Sequence, residues 1–138
     1  MTTVTKPEFK APSQVVEAHA SPAIVSPAPL VGTWLNTNTA TRDLAKVVIT
    51  QSGNNLTVHA YGACSPKPCD WGPEPGIAYS AGVTAVPAEA FSAQYNFGFS
   101  KVILVGHLIG NLLNVETLTV FTDGSGRNAY YSNMEMKK

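Results

Sequence analysis

The sequence contains few charged residues, and this shortage narrows the classes of function. Only 13% of the 138 residues are charged, and nine basic side chains balance nine acidic ones. Binding to nucleic acid needs a surplus of Lys and Arg that neutralises phosphates, and docking on an anionic membrane surface needs a similar surplus. We therefore expect neither nucleic acid nor a charged membrane surface as a partner.

Long hydrophobic runs are also missing. No apolar stretch approaches the roughly 20 residues of a membrane-spanning helix, so no membrane span is expected. The first residues lack the basic head and the apolar stretch of a signal peptide. This absence suggests a cytoplasmic location, whereas the two cysteines, as a bonded pair, would suit an oxidising compartment. The chain is long enough for one domain and too short for two.

Residues 1–29 are rich in Pro and Ala and predict an N-terminal arm. Five prolines interrupt any long helix or strand ladder in this stretch, and its composition is typical of a segment that is disordered alone in water. Its apolar clusters, Val15-Val16 and Ile24-Val25, have no use in an inert tether. We interpret them as docking points for a partner or a second copy, with an unstructured leader as the alternative.

From Val31 onward, apolar residues recur with a period of two, which predicts β-strands. The connections are short and contain Gly, Asn, Asp or Ser, so consecutive strands should pair antiparallel. About eight strands in such a meander can remove their exposed edges by closing on themselves. We therefore expect an all-β fold, an up-and-down barrel over residues 30–138. The predicted strands are 31–36, 44–51, 56–61, 76–80, 91–100, 101–109, 112–121 and 127–136.

A Gly and a Trp stand at the head of the first predicted strand. Gly32 allows close backbone approach, and Trp34 offers a large flat side chain that can plug a barrel end. The Gly32-Thr33-Trp34 motif resembles the calycin group, the lipocalins and avidin-type proteins, in which Gly-x-Trp opens an eight-stranded barrel. The resemblance implies that a basic residue from the last strand lies over Trp34, and Arg127 is the matching candidate. The biotin-contacting residues of avidins are not matched, so no ligand is carried over.

Cys64 and Cys69 enclose four residues, two of which are prolines. This spacing favours a disulfide that closes a small ring, with free thiols and a zinc site as alternatives. Zinc usually takes four ligands, and only His59 and Asp70 lie near in the sequence, so we expect no metal and no other cofactor. The proline-rich stretch 64–87 is long enough to form a loop that covers the barrel mouth.

The predicted strand 101–109 is apolar on both faces. Val102, Leu104 and Leu108 can face the interior, which leaves other apolar side chains outside. A strand of this kind must be covered on both faces, and an uncovered apolar patch marks an interaction surface. We predict self-association, or coverage by the arm or a partner, with a two-sheet sandwich as the alternative. The predicted interface consists of Ile103, Val105, His107, Ile109 and Leu118.

We interpret the chain as a non-enzymatic binding or assembly module, because small barrels either fill their interior or hold one small ligand. A small apolar ligand would bind at the mouth, near Tyr61, Trp71, Tyr79 and Tyr95.

Two alternatives stay open. Calycin-like barrels include cyclases and isomerases that shape an apolar substrate with few polar groups, and exposed aromatic rings can stack on sugars in a carbohydrate-binding module. No nucleophile elbow, P-loop, dinucleotide fingerprint or metalloprotease motif is present. For an enzyme, the acid or base candidates are His59, Tyr61, Asp70 and Glu116.

Overall fold

Eight strands follow one another along the chain with little else between them. The structure, a computed structural model, describes residues 24–138. A 3₁₀-helix spans Ala28–Leu30. The strands are β1 Gly32–Asn36, β2 Leu44–Ser52, β3 Asn55–Gly62, β4 Cys69–Ser80, β5 Ala88–Asn96, β6 Ser100–Ile109, β7 Leu112–Phe121 and β8 Tyr130–Lys137. Within this range no helix has the length and hydropathy of a membrane span.

Each strand pairs antiparallel with the next, and the last pairs with the first. Leu35 lies opposite Lys137 and Asn36 opposite Met136, which closes the sheet into a barrel. The predicted all-β, eight-stranded up-and-down barrel is therefore confirmed, and a two-sheet sandwich is not formed. Closure pairs the two strands that would otherwise be exposed edges of the sheet.

Three strands differ from the prediction by several residues at an end. Strand β4 begins at Cys69 instead of residue 76, β5 spans Ala88–Asn96 instead of 91–100, and β8 begins at Tyr130 instead of residue 127. Half of the expected covering loop, 64–87, is therefore a strand, even though Pro73 and Pro75 lie in it. Its pairing with β5 begins only at Gly76, so the first half of β4 has a strand neighbour on one side alone. Proline is tolerated on such an edge because it has no N–H to donate.

Alternate side chains of the strands fill the barrel. Aromatic side chains alternate with small or polar ones along β5, and Phe91 and Tyr95 are buried. The neighbouring strand buries Val102 and Leu104 as expected and leaves Ile103 outside. Burial of each large apolar side chain contributes about 1.5–3 kcal/mol, so this common interior provides the main stabilisation of the fold.

Trp34 and Leu30 seal one end of the barrel, which we call the closed end. Both are buried, and the indole N–H of Trp34 donates to the Leu30 carbonyl at 2.9 Å. Just before the 3₁₀-helix, the Ser26 N–H donates to Val86 at 2.7 Å and the Ser26 carbonyl accepts from Ala88 at 2.9 Å. Residues at the end of the predicted arm therefore pack on the barrel. Residues 1–23, with the Val15-Val16 cluster, lie outside the described range.

The cation over Trp34 is Lys138, so the prediction of Arg127 is wrong. Lys138 Nζ lies 5.1 Å from the ring centre of Trp34 and donates to the Val31 carbonyl at 3.2 Å. Gly32 has φ 146°, a backbone conformation that favours glycine, and a Cβ there would lie 2.7 Å from the flexible Lys138 side chain. Because β8 runs antiparallel to β1, the end of the chain reaches the closed end. Arg127 precedes β8 and lies at the opposite end.

Candidate ligand-binding site

The open end of the barrel, which we call the mouth, holds two adjoining pockets of about 260 and 280 Å³. The loops 37–43, 63–68, 97–99 and 122–129 surround it. Both pockets are lined by Trp71, Thr119 and Tyr130, so they form one divided site. We call it the mouth site. Its further lining residues include Arg42, Asp43, Phe97, Phe99, Ser100, Thr117, Phe121 and Ser132.

Aromatic rings form two walls of the mouth site. On one wall, Trp71 packs edge-on against Phe97 at 5.2 Å between ring centres, and Phe97 stacks on Phe99 at 6.2 Å. On the other, Phe121 and Tyr130 stack at 6.2 Å. These rings line the pockets, and aromatic side chains stack or pack edge-on against other rings, so the walls suit a ring-shaped guest.

Hydroxyl groups form the floor between the walls. Thr117 and Thr119 are only 5% and 6% exposed. The Thr117 hydroxyl is bonded to that of Ser132 at 2.5 Å, whereas no described residue hydrogen-bonds to the Thr119 hydroxyl. Buried hydroxyls are nearly always paired, so Thr119 offers a polar anchor for a guest. One charge of each sign, Arg42 and Asp43, lies on the rim.

A β-bulge turns Trp71 toward the mouth. The ladder between β3 and β4 pairs His59 with Pro73 and Tyr61 with Asp70, so Trp71 and Gly72 together oppose a single residue, Ala60. Gly72 has φ 86°, a conformation that favours glycine. Bulges of this kind redirect side chains, and here the redirected side chain is a wall of the mouth site.

The hydroxyl of Tyr95 fills the bulge from inside the barrel. It accepts from the Ala60 N–H at 3.0 Å and lies within donating distance of the Gly72 carbonyl, at 2.9 Å, and the Val58 carbonyl, at 3.2 Å. Burial raises the pKa of Tyr95, so the phenol keeps its proton and can donate. The backbone groups that the bulge removes from the regular ladder are thereby paired.

Asp70 holds the same bulge from the outer wall. One oxygen of its carboxylate accepts from the Gly72 N–H at 2.7 Å and lies 2.5 Å from His59 Nε2. The bond with His59, followed by that with Gly72, lowers the pKa of Asp70. The His59 ring stacks on Tyr61 at 4.6 Å, and Lys46 Nζ lies 4.4 Å from the Tyr61 ring centre.

The disulfide expected from the cysteine spacing is present. Cys64 and Cys69 are bonded, with 5.4 Å between their Cα atoms, and both line the smaller pocket of the mouth site, the one of about 260 Å³. A Cβ at Gly62 would lie 3.1 Å from the indole nitrogen of Trp71. The lack of a side chain at Gly62 therefore leaves room for the Trp71 indole. Within residues 24–138 no cluster of three or more His, Cys, Asp or Glu is arranged for a metal.

The four aromatics predicted at the mouth divide into two pairs. Trp71 lines the site, and Tyr95 lies behind it, edge-on at 5.3 Å. Tyr61 and Tyr79 point outward, where Tyr79 bonds to Ser92 at 2.8 Å, and they do not line either pocket. Strand alternation explains the difference, because Tyr61 shares a face with His59 and Tyr79 shares one with Ile77.

The four acid or base candidates lie in two different places on the barrel. His59, Tyr61 and Asp70 come together on the outer face of β3 and β4. Glu116 lies on β7, where it accepts from the Tyr131 hydroxyl at 2.8 Å. None of these residues lines a mouth pocket.

Several residues of the site were not predicted from the sequence. Thr119 and Tyr130 line both pockets, and Phe97, Phe99 and Phe121 complete the walls. One signal could have identified the floor: Thr117 and Thr119 continue the inward face that Leu113 and Val115 begin on β7. Polar residues on an inward face near a strand end indicate a mouth.

The predicted interface lies on the outer wall of β6 and β7. Ile103 and Leu118, which are direct cross-strand neighbours, are 43% and 48% exposed, and Ile109 is 57% exposed. Val105 and His107 are half-buried in the same wall. Val120 adds to the apolar area, and a groove of about 500 Å³ lies along Ile103, Leu118 and Val120.

The fold defines the class of this protein as a small, closed, eight-stranded antiparallel β-barrel, compatible with the calycin architecture. No protein-family model, curated protein or solved structure matches the chain.

Proposed function

We propose that this protein is a non-enzymatic binding barrel that holds one small, largely apolar ligand at the mouth site. The observation that carries the proposal is the pair of adjoining pockets between two aromatic walls, above the buried Thr119 hydroxyl. Apolar pockets with a few convergent polar groups are typical of small-molecule sites. The opposite end is filled by Trp34 and Leu30, so the ligand enters from the mouth.

The lining also indicates the chemical class of the ligand. Ring faces of Trp71 and Tyr130 suit a flat ring, and Thr119 suits one hydrogen-bonding group on it. Arg42 and Asp43 balance each other on the rim, so the site has no cationic cluster to attract a phosphate or another anion. The expected ligand is a neutral ring with one or two polar substituents.

The test is a titration with 2-naphthol, a neutral aromatic alcohol, in parallel with methyl glucoside, followed by NMR shifts of the mouth residues. Trp71→Ala should weaken 2-naphthol binding about tenfold or more, and Thr119→Val about three- to tenfold, the value of one hydrogen bond. Tyr79→Ala is the matched control, because that ring lies on the outer wall. It should leave the affinity unchanged.

Two results would reject this proposal. If millimolar 2-naphthol causes no shifts at the mouth, or if Trp71→Ala binds it as well as the unmodified protein, the mouth is not such a site. Trp71-dependent binding of the glucoside alone would instead identify a carbohydrate-binding module.

The enzyme alternative has weaker support. His59 and Asp70 form the best-oriented acid and base pair, but they lie on the outer wall, and neither lines a mouth pocket. A general base must lie within hydrogen-bond reach of the substrate proton. A ligand held at the mouth site would not meet this requirement with His59.

A second role, self-association, is supported by the outer wall. Ile103, Leu118 and Val120 form a contiguous patch, each 43–48% exposed, and exposed apolar patches mark interaction sites. We propose a second copy of the chain as the occupant. Because the formal net charge is zero, two copies repel each other only weakly. The predicted interface residues Val105, His107, Ile109 and Leu118 belong to this wall.

Sedimentation equilibrium tests this second role. The protein should sediment as a dimer or larger assembly, and Ile103→Lys should dissociate it, whereas Thr57→Lys on the far wall should not. A monomer at all concentrations would reject self-association. Removal of residues 1–23 in the same experiment measures whether the arm contributes.

A further inference from the structure

The strongest feature outside the mouth site is a hydrogen-bonded link between the outer wall of the barrel and the backbone beside Trp71. We call this link, formed by Asp70 with Gly72 and His59, the tie. The Asp70 carboxylate oxygen that accepts from the Gly72 N–H at 2.7 Å is also the one 2.5 Å from His59 Nε2. Residues 70 and 72 flank Trp71 directly. The carboxylate therefore closes a small hydrogen-bonded turn around the Trp71 backbone and anchors that turn to β3 through His59.

The inner side of the same bulge is held independently. The Tyr95 hydroxyl bonds to the Gly72 carbonyl at 2.9 Å and its ring supports Trp71 at 5.3 Å. The disulfide at Cys69 holds the start of the strand. The Tyr95 contacts are at least partly buried and the disulfide is covalent, so the tie to Asp70, whose side chain is 60% exposed, is the contact that a change of pH can alter.

We propose that Asp70 and His59 are positioning residues that set the Trp71 wall of the mouth site from the outer surface. They touch no ligand in this arrangement. Loss of the tie frees the bulge on its outer side, which lets Trp71 leave its edge-on contact with Phe97 and weakens the site. The inference rests on the proposed ligand site for its effect on binding, but not for its effect on Trp71 itself.

The ionisation state of the Asp70 carboxyl group decides whether the tie forms. An ionised Asp70 accepts from both donors, whereas a protonated carboxyl must use one oxygen as a donor and binds two N–H groups less well. Lys46 on β2 favours the ionised form, and His59 and Tyr61 on β3 complete the groups facing it. Glu74, farther along β4, and Tyr95 on β5 are the remaining titratable groups of this region. The tie should hold at neutral pH and fail only in acid.

The experiment measures the indole N–H signal of Trp71 by NMR in the full-length protein without ligand. Trp71→Phe assigns the signal, and the Trp34 signal at the closed end reports that the fold is intact. Asp70→Asn should shift the Trp71 signal and leave that of Trp34 in place, and His59→Ala should do the same to a smaller extent. Glu89→Gln, which removes an exposed carboxylate elsewhere on the outer wall, is the matched control and should change neither signal.

The pH dependence of the Trp71 indole signal distinguishes a positioning role of Asp70 from a merely structural one. In the unmodified protein the Trp71 signal should move as Asp70 is protonated, and Asp70→Asn should abolish this movement while Trp34 stays constant. Asp70→Asn should also weaken 2-naphthol binding about tenfold, the value of one charge-assisted hydrogen bond.

Failure of the positioning role can be distinguished from failure of the proposed ligand site. A Trp71 signal that neither variant changes, with an unaltered pH profile, overturns the positioning role even if 2-naphthol binds. A Trp71 signal that responds as expected supports the role even if 2-naphthol does not bind, in which case the proposed ligand class alone is rejected. If Asp70→Asn displaces the Trp34 signal as well, the tie supports the whole fold and the specific positioning role is rejected.

Discussion

The hydroxyl of Tyr95 lies 3.0 Å from the backbone nitrogen of Ala60 and accepts its hydrogen bond in the barrel interior. The same oxygen reaches the Gly72 carbonyl at 2.9 Å, so a β5 side chain connects both strands of the bulge. Stability and the shape of the mouth therefore depend on one phenol.

Tyr95→Phe should destabilise the protein by about 1–3 kcal/mol, because it leaves buried backbone groups without a partner. Urea unfolding measures the loss. Tyr79→Phe is the control, since the Tyr79 hydroxyl is exposed and bonded to Ser92, and it should change stability by less than about 0.5 kcal/mol. Equal losses in the two variants would contradict a special role for the Tyr95 hydroxyl.

Gly106→Ala should destabilise the barrel by about 1–3 kcal/mol through overpacking. A Cβ at this buried position would overlap the ring of Phe91 on the neighbouring strand. Thermal unfolding measures this loss. Gly82→Ala, where a Cβ would meet nothing within 4 Å, is the control and should be nearly neutral. A neutral Gly106→Ala would mean that the Phe91 ring can move aside at little cost.

Lys138→Gln should lower stability by about 0.5–1 kcal/mol, since it removes the cation over Trp34. The Val31 carbonyl also loses the ammonium that donates to it. Lys137→Gln is the matched control on the neighbouring residue. If Arg127→Gln, and not Lys138→Gln, altered the near-ultraviolet circular dichroism of Trp34, the assignment of the cation would be incorrect.

Replacement of both Cys64 and Cys69 by Ser should cost about 2 kcal/mol by the chain-entropy relation for a short ring. Unfolding of the unmodified protein with and without reductant provides an independent measurement and should give a similar difference. Because both residues line the mouth site, the variant should also shift the Trp71 indole signal. An unchanged stability would show that the ring contributes no net constraint.

Asp123 should titrate far below an ordinary carboxyl group. Hydrogen bonds from the Ser125 side chain and backbone, together with Arg127, lower its pKa from 3.8 to about 2. Because the folded-state pKa is the lower one, the contribution of Asp123 to stability is present above 3.8 and disappears as pH falls through about 2. A carboxyl-carbon NMR titration measures this pKa directly.

Two variants test the cause of that shift. Ser125→Ala should raise the pKa of Asp123 more than Arg127→Gln does, because the side-chain hydrogen bond from Ser125, which this variant removes, is the largest single cause of the shift. The opposite order would assign the shift to the ion pair, in which Arg127 lies 2.8 Å from the carboxylate.

Local patterns in the sequence determine most of the barrel. Alternation places Phe91, Tyr95, Val102 and Leu104 inside, and short polar turns make neighbours of consecutive strands, so eight strands and closure follow from the chain order. The Cys64 and Cys69 pair is likewise local, because its ring spans only a few residues. These features depend on residues close in sequence, which is why they could be predicted.

Only the tertiary structure decided which residues meet between distant strands. The bulge at Trp71-Gly72 depends on a one-residue difference in the register of β3 and β4, and its partner Tyr95 comes from β5. That Lys138, and not Arg127, lies over Trp34 depends on which end of β8 meets the start of β1. Such choices are set by the pairing of strands far apart in the chain, and strand alternation alone carries no information about them.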